Sequence, residues 1–273
     1  MDWFEALILG IVQGLAEYLP ISSSGHLEIC HELLGLDISG AESLEFDVTL
    51  HVATVLSTIV ILWREFSHIC GSVFTWRRDE DFYTFWKIIV SCIPVGIVGV
   101  CFKDVVEGFF GANLGVVGSC LIVTAILLSF AYFTRTRTTT GIRSADSGRP
   151  ISWVDAFVIG CAQAVAVLPG LSRSGTTIAT GILLGNKREQ VARFSFLMVI
   201  IPILGQAVLD LIKGLAEGTT SSIGMLPILV GFASSFIVGC LACNWMLNIV
   251  KRGKLVWFAA YCLVVGVICL IFR

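Results

Sequence analysis

The stretch GIVQGLAEYLPISSSG (10–25) recurs 150 residues later as GCAQAVAVLPGLSRSG (160–175). Six of the sixteen positions are identical, and no gap is needed: Gly10/Gly160, Gln13/Gln163, Ala16/Ala166, Ser22/Ser172, Ser24/Ser174 and Gly25/Gly175. Each copy interrupts an apolar run, 3–27 in one case and 153–185 in the other. The breaks carry Pro20 and Gly25, then Pro169, Gly170 and Gly175. A broken backbone frees N–H and C=O groups that hydrocarbon cannot satisfy. At membrane depth it is tolerated only inside protein or around a wet cavity. Both stretches therefore read as re-entrant helix–turn–helix hairpins, related to each other by an internal repeat.

The membrane setting follows from composition. The chain is 56% hydrophobic and 14% charged, where a soluble domain carries about 25% charged residues. Six segments are long and apolar enough to span with some tilt: 48–63, 86–103, 114–133, 194–212, 225–248 and 255–272. Trp63, Trp86, Trp153, Trp245 and Trp257 fall near segment ends, as an interfacial aromatic belt places them. The expected fold is an all-α polytopic membrane protein of about six transmembrane helices plus two re-entrant hairpins, in an inverted-topology repeat. Residues 1–133 form the first repeat, 153–273 the second, and the polar segment 134–152 the linker.

A net charge of −2 gives no electrostatic footprint for nucleic acid. The ten cysteines are scattered singly apart from Cys240 and Cys243, and read as small apolar packing residues. No cleavable signal peptide is expected, since the first Lys or Arg is Arg64.

Charge in the loops orients the chain. If the hairpins return to the side they entered from and 48–63 runs inward, fourteen Lys and Arg residues lie inside. Only Lys103, Lys213 and Arg273 lie outside, and Arg173 sits within the second hairpin. Both termini then lie outside, and the hairpins enter from opposite faces. Broken elements of inverted repeats meet near the bilayer midplane and build the site there.

The turns hold the chemistry. One carries Gln13, Glu17, Ser22, Ser23, Ser24 and His26, and the other Ser172, Arg173, Ser174, Thr176 and Thr177. Gln13 and Glu17 are four apart and share a helix face. Glu17 and Arg173 are the only charged side chains in the hairpin cores. A plain buried ion pair accounts for those two but not for the hydroxyls and histidine beside them. An anion site accounts for all of them. Short Ser/Gly turns before a helix, including Gly25 and Gly175, aim backbone N–H groups at a phosphate, and Arg173 adds a planar fork. Ser23 or a neighbour could serve as nucleophile, with His26 moving a proton or itself attacking. Glu17 could hold a divalent cation or act as the base. Asp47 and His51, four apart at the outer end of the first span, could face the same cavity. The acidic segment 28–47 reads as a solvated outer loop.

The motifs QGLAEYLPISSSGH, FDVTLHVAT, PGLSRSGTT and FSFLM resemble the bacterial undecaprenyl-diphosphate phosphatase (bacitracin-resistance) family, over essentially the whole chain. The resemblance implies hydrolysis of a C55 polyprenyl diphosphate to the monophosphate carrier, at a membrane-embedded site open to the outer face of a bacterial inner membrane. It implies Ser23 as nucleophile, Arg173 as diphosphate clamp, and Ser22, Ser24, Gly25, Ser172, Ser174, Gly175 and Thr177 around the diphosphate. It also implies Mg²⁺ or Ca²⁺ at Glu17 and Gln13, where Gln13 replaces the family's more usual glutamate. Expected partners are the lipid and the bilayer; a homodimer is left open. A second lipid-phosphatase signature, K-x6-RP with SR-x5-H, does not fit: Ile142 stands where it needs Lys, and Ala179 where it needs His. From another class, a polyprenyl-phosphate transporter shares inverted-repeat architecture, and fold alone does not decide between them.

Overall fold

A computed structural model describes residues 1–35, 40–102, 105, 108–109, 114–133, 148–217 and 223–272. Most of the expected linker (134–147) and part of the acidic segment (36–39) lie outside the described residues.

In chain order the helices are α1 (Trp3–Ala16), α2 (Ser23–Leu34), α3 (Gly40–Ile61), α4 (Trp63–Phe74), α5 (Glu80–Cys101), α6 (Leu114–Phe133), α7 (Trp153–Val165), α8 (Arg173–Leu183), α9 (Arg188–Met198), α10 (Ile200–Glu217), α11 (Met225–Arg252) and α12 (Val256–Ile271). The distribution of polarity is the reverse of a soluble protein's. Gln13, Ser57, Ser91, Thr124 and Ser235 are fully buried, while Phe74, Val100, Phe130, Leu241 and Trp257 are exposed. Such an apolar exterior needs lipid to cover it. This is a multi-pass membrane protein.

Among the described residues, four helical stretches are long and apolar enough to cross a bilayer: Glu80–Cys101, Leu114–Phe133, Arg188–Leu209 and Met225–Arg252. They match the expected spans 86–103, 114–133, 194–212 and 225–248. The expected span 48–63 becomes half of a bent pair, Phe46–Ile61 and Trp63–Phe74, which meet at 84° and count as a fifth crossing if taken together. The expected span 255–272 falls on α12, whose 16 residues reach only about 24 Å, short of the roughly 30 Å hydrocarbon core. Among the described residues, length and composition alone thus pick out four of the six expected crossings, or five with the bent pair taken as one, and leave α12 as a shorter apolar helix. The helix α12 packs along α6 at a crossing of small residues. A Cβ on Gly118 would sit 2.7 Å from the Gly266 carbonyl, and one on Gly266 would sit 2.8 Å from the Gly118 carbonyl.

The two repeat copies fold alike. Helix α1 starts at a capping box of Asp2 and Glu5, and α7 at one of Ser152 and Asp155, again 150 residues on. Each helix is too short to span, each ends in a turn, and each is followed by a second short helix capped by a repeat serine. The first hairpin's α1 lies against α11, and the second hairpin's α7 lies against α5. Entry to the second hairpin is fastened by Arg149, whose guanidinium gives two bonds of 2.5 and 2.6 Å to the buried Asp155 carboxylate. Asn186 adds a third at 3.0 Å.

Candidate active site

The two turns meet. A Cβ on Gly25 of the first turn would lie 2.9 Å from Gly170 Cα of the second, and one on Gly175 would lie 3.1 Å from Pro20 Cβ. The repeated glycine thus serves each turn by letting the other approach. Ser174 Oγ–H also donates to Leu19 O at 3.2 Å, tying the second turn to the first.

Within each turn the repeated serines do the same local work. Ser22 Oγ accepts from Gly25 N–H at 3.3 Å, and Ser172 Oγ from Gly175 N–H at 3.0 Å, as N-caps of α2 and α8. Their backbones differ. Ser172 is extended with φ −65°, whereas Ser22 has φ 72°, a left-handed conformation unusual for a residue with a Cβ. In the second turn the positive φ falls on Gly170 instead.

The strained turn places Ser23 against Glu17. Ser23 Oγ–H donates to Glu17 Oε2 at 2.8 Å, and Gln13 Nε2–H donates to the same oxygen at 3.0 Å. Arg173 Nη1 stands 3.8 Å from Glu17 Oε1, and His51 Nε2 stands 3.6 Å from Oε2. The carboxylate is nearly buried and the guanidinium is partly open. A serine hydroxyl directed at a carboxylate is the geometry that a nucleophile and its general base require. His51 is held in this orientation by its Nδ1–H, which donates to Asp47 O at 2.7 Å. The Asp47 carboxylate lies 3.9 Å from His31.

His26 faces elsewhere. Its Nδ1 meets Ser22 O at 2.8 Å and its Nε2 meets Tyr261 Oη at 2.8 Å, so both ring nitrogens are engaged away from the Ser23–Glu17 pair. The Nδ1–H bond braces the unusual Ser22 backbone. Thr177 likewise points inward, with Oγ1 on Arg173 O at 2.8 Å and 2.6 Å from Ser195 Oγ.

Ser22, Ser23, Ser24, Asp47, His51 and Arg173 line a cavity of about 260 Å³ whose other walls include Val95, Ala166, Leu171 and Ile203. A polar end and an apolar wall suit a charged headgroup attached to a hydrocarbon tail. Among the described residues no group of three or more His, Cys, Asp or Glu side chains is arranged to hold a metal. The donor set fits a hard cation that arrives with phosphate: Glu17 offers carboxylate oxygens, and Gln13 Oε1 is buried with no partner among the described residues.

Two residues of this neighbourhood escaped sequence reasoning. Tyr18, fully buried, sets its Oη 2.6 Å from Thr54 O, 2.5 Å from Ser57 Oγ and 2.8 Å from Thr58 Oγ1, anchoring the residue after Glu17 to α3. Gln163 also lines the cavity; its identity with Gln13 across the repeat was the available signal.

A family model described as bacitracin resistance protein BacA matches residues 6–268. An undecaprenyl-diphosphatase of Bacteroides fragilis is 53% identical over 99% of this chain and 98% of its own length. One of Parabacteroides distasonis is 52% identical over 98% and 97%. One of Methanobrevibacter smithii is 39% identical over 98% and 96%. A likeness that runs unbroken from the first hairpin to the last helix leaves one conclusion: the chain belongs to the BacA family of bacitracin resistance proteins.

Proposed function

We propose that this protein is an undecaprenyl-diphosphate phosphatase that hydrolyses the C55 lipid diphosphate to undecaprenyl phosphate and inorganic phosphate, with Ser23 as the nucleophile. The reaction regenerates the monophosphate carrier used in cell-wall synthesis. The observation that carries the assignment of roles is the 2.8 Å bond from Ser23 Oγ–H to Glu17 Oε2, set beside Arg173 at an amphipathic cavity.

Glu17 takes the Ser23 proton as Oγ attacks the terminal phosphorus. The bond from that phosphorus to the bridging oxygen breaks, and undecaprenyl phosphate leaves with the electron pair. Glu17 passes that proton to the departing monophosphate, then takes one from the water that attacks the phosphoserine and returns it to Ser23 Oγ as the phosphoseryl bond breaks and phosphate is released. Arg173 and the N–H groups at the starts of α2 and α8 neutralise charge on the phosphoryl oxygens. A divalent cation, Mg²⁺ or Ca²⁺, would be held by Glu17 and Gln13 Oε1 and would supply further neutralisation of the diphosphate. Ser22, Ser24, Gly25, Ser172, Ser174, Gly175 and Thr177 shape the cradle, and His26 acts on it through the Ser22 carbonyl.

The halves 1–133 and 153–273 are an inverted repeat joined by 134–152. Support comes from the matched capping boxes and from the exchanged packing of α1 on α11 and α7 on α5. The site opens to the outer face of the inner membrane, with both termini outside.

Purified protein in detergent has no two sides between which to transport, so phosphate release there tests catalysis alone. Wild type releases phosphate from a prenyl diphosphate with Mg²⁺ or Ca²⁺ present, while Ser23→Ala and Arg173→Ala lose nearly all turnover. Silence of the wild type defeats the enzyme reading. Retained activity in Ser23→Ala moves the nucleophile to His26 or to an activated water.

A further inference from the structure

Among the described residues, the second hairpin leaves two buried polar side chains without a partner, the Thr176 hydroxyl and the whole amide of Gln163, and the amide is the larger of the two. Gln163 lies near the end of α7, is 1% exposed, and lines the cavity shared with Ser23, His51 and Arg173. Neither its Nε2 nor its Oε1 has a hydrogen-bond partner among the described residues. Its repeat counterpart Gln13 is equally buried but gives its amide N–H to Glu17 at 3.0 Å. Four residues after Gln163, where the same bond needs a carboxylate, stands Val167. The local reason for a glutamine has therefore gone in this copy, and the amide has not.

A buried amide with four idle hydrogen-bonding positions destabilises the free protein, and an apolar side chain of similar length would avoid that cost. The cavity it lines is the one that carries the serine cluster and the guanidinium. A ligand rich in acceptors, entering that cavity, is what completes it.

We propose that Gln163 is a substrate-binding residue whose amide N–H groups donate to non-bridging oxygens of the bound diphosphate. Its Oε1 accepts from a protonated phosphate oxygen or from water carried in with the headgroup. A neutral amide suits this place: it adds donors to the anion without a second full charge to desolvate beside Arg173. The inference rests on the cavity being the diphosphate site, as assigned above.

The test uses the full chain in detergent, with inorganic diphosphate as the probe in calorimetry and a prenyl diphosphate as the substrate in turnover. Gln163→Met keeps the length and removes the amide. Its dissociation constant for inorganic diphosphate and its KM for the lipid should both rise about 10-fold or more, as for a lost hydrogen bond to a charged group. Its kcat should change much less. Its Tm should stay level or increase, which a purely structural glutamine does not allow. Gln163→Glu, isosteric and anionic, should weaken diphosphate binding further, and it serves as the measurement if the Met variant fails to fold. An unchanged dissociation constant for inorganic diphosphate in either folded variant overturns the assignment. Because binding is read without turnover, a wild type that binds diphosphate but does not cleave it would sink the catalytic roles and leave Gln163 still decided.

Discussion

Glu17 accepts from Gln13 and Ser23 on one oxygen and faces Arg173 across the other, so its charge is held by neighbours on three sides. Glu17→Gln keeps the volume and removes the base. Its kcat in phosphate release should fall by about 10²–10⁴, the usual contribution of a positioned proton acceptor, while a thermal melt still shows a folded protein. Tyr18 is the complementary case, a residue that supports the site without touching substrate. Tyr18→Phe strips one hydroxyl from Thr54, Ser57 and Thr58. It should lower stability by about 1–3 kcal/mol through the buried groups left unpaired, measured by thermal denaturation, with KM little altered. The Gln13–Glu17 pair was legible in the sequence because four residues is one helical turn. The Ser23–Glu17 bond was not, because it depends on a left-handed Ser22 that local propensity disfavours and that the His26 ring holds in place.

Among the elements, the glycines of the two turns make the sharpest contrast. Gly25→Ala sets a methyl 2.9 Å from the Gly170 backbone, which must then move. The expected cost is about 1–3 kcal/mol, together with loss of phosphate release as the turns part. Gly71, in α4 with nothing within 4 Å of where an alanine methyl would sit, should tolerate alanine with no loss and a small gain of about 0.5–1 kcal/mol. Both can be read from melting curves of the purified variants. The hairpins were legible because Pro and Gly punctuate long apolar runs, and four spans because such runs admit only one reading. The 84° bend at Leu62 was not legible: 60–63 reads Val-Ile-Leu-Trp without Pro or Gly, so packing sets the angle and not local sequence. The pairing of His26 with Tyr261, 235 residues away, is likewise set by the fold as a whole.

For the whole molecule, loop charge and the duplicated hairpin together give a topology that can be measured. Reporter fusions after residue 76 should behave as cytoplasmic, and fusions after residue 220 as external. An external signal at 76 would reverse the orientation and turn the cavity toward the cytoplasm. The capping boxes extend the repeat upstream of the sequence match, to Asp2 and Ser152, because Asp and Ser cap helices equally well while sharing no letter.

The mutual support of Gly25 with Gly170 and of Gly175 with Pro20 has a consequence for biosynthesis. When the first turn has been delivered to the bilayer, its buttress is still about 150 codons from the ribosome's exit. At about 5–20 residues per second, Glu17 and three serines wait roughly 8–30 s in or beside lipid without the surface that completes them. Either the nascent hairpin is sheltered by the insertion machinery for that interval, or it stays at the interface and enters only when its twin arrives. In both cases the enzyme's chemistry comes together only after the second turn has been made, 150 residues behind the first.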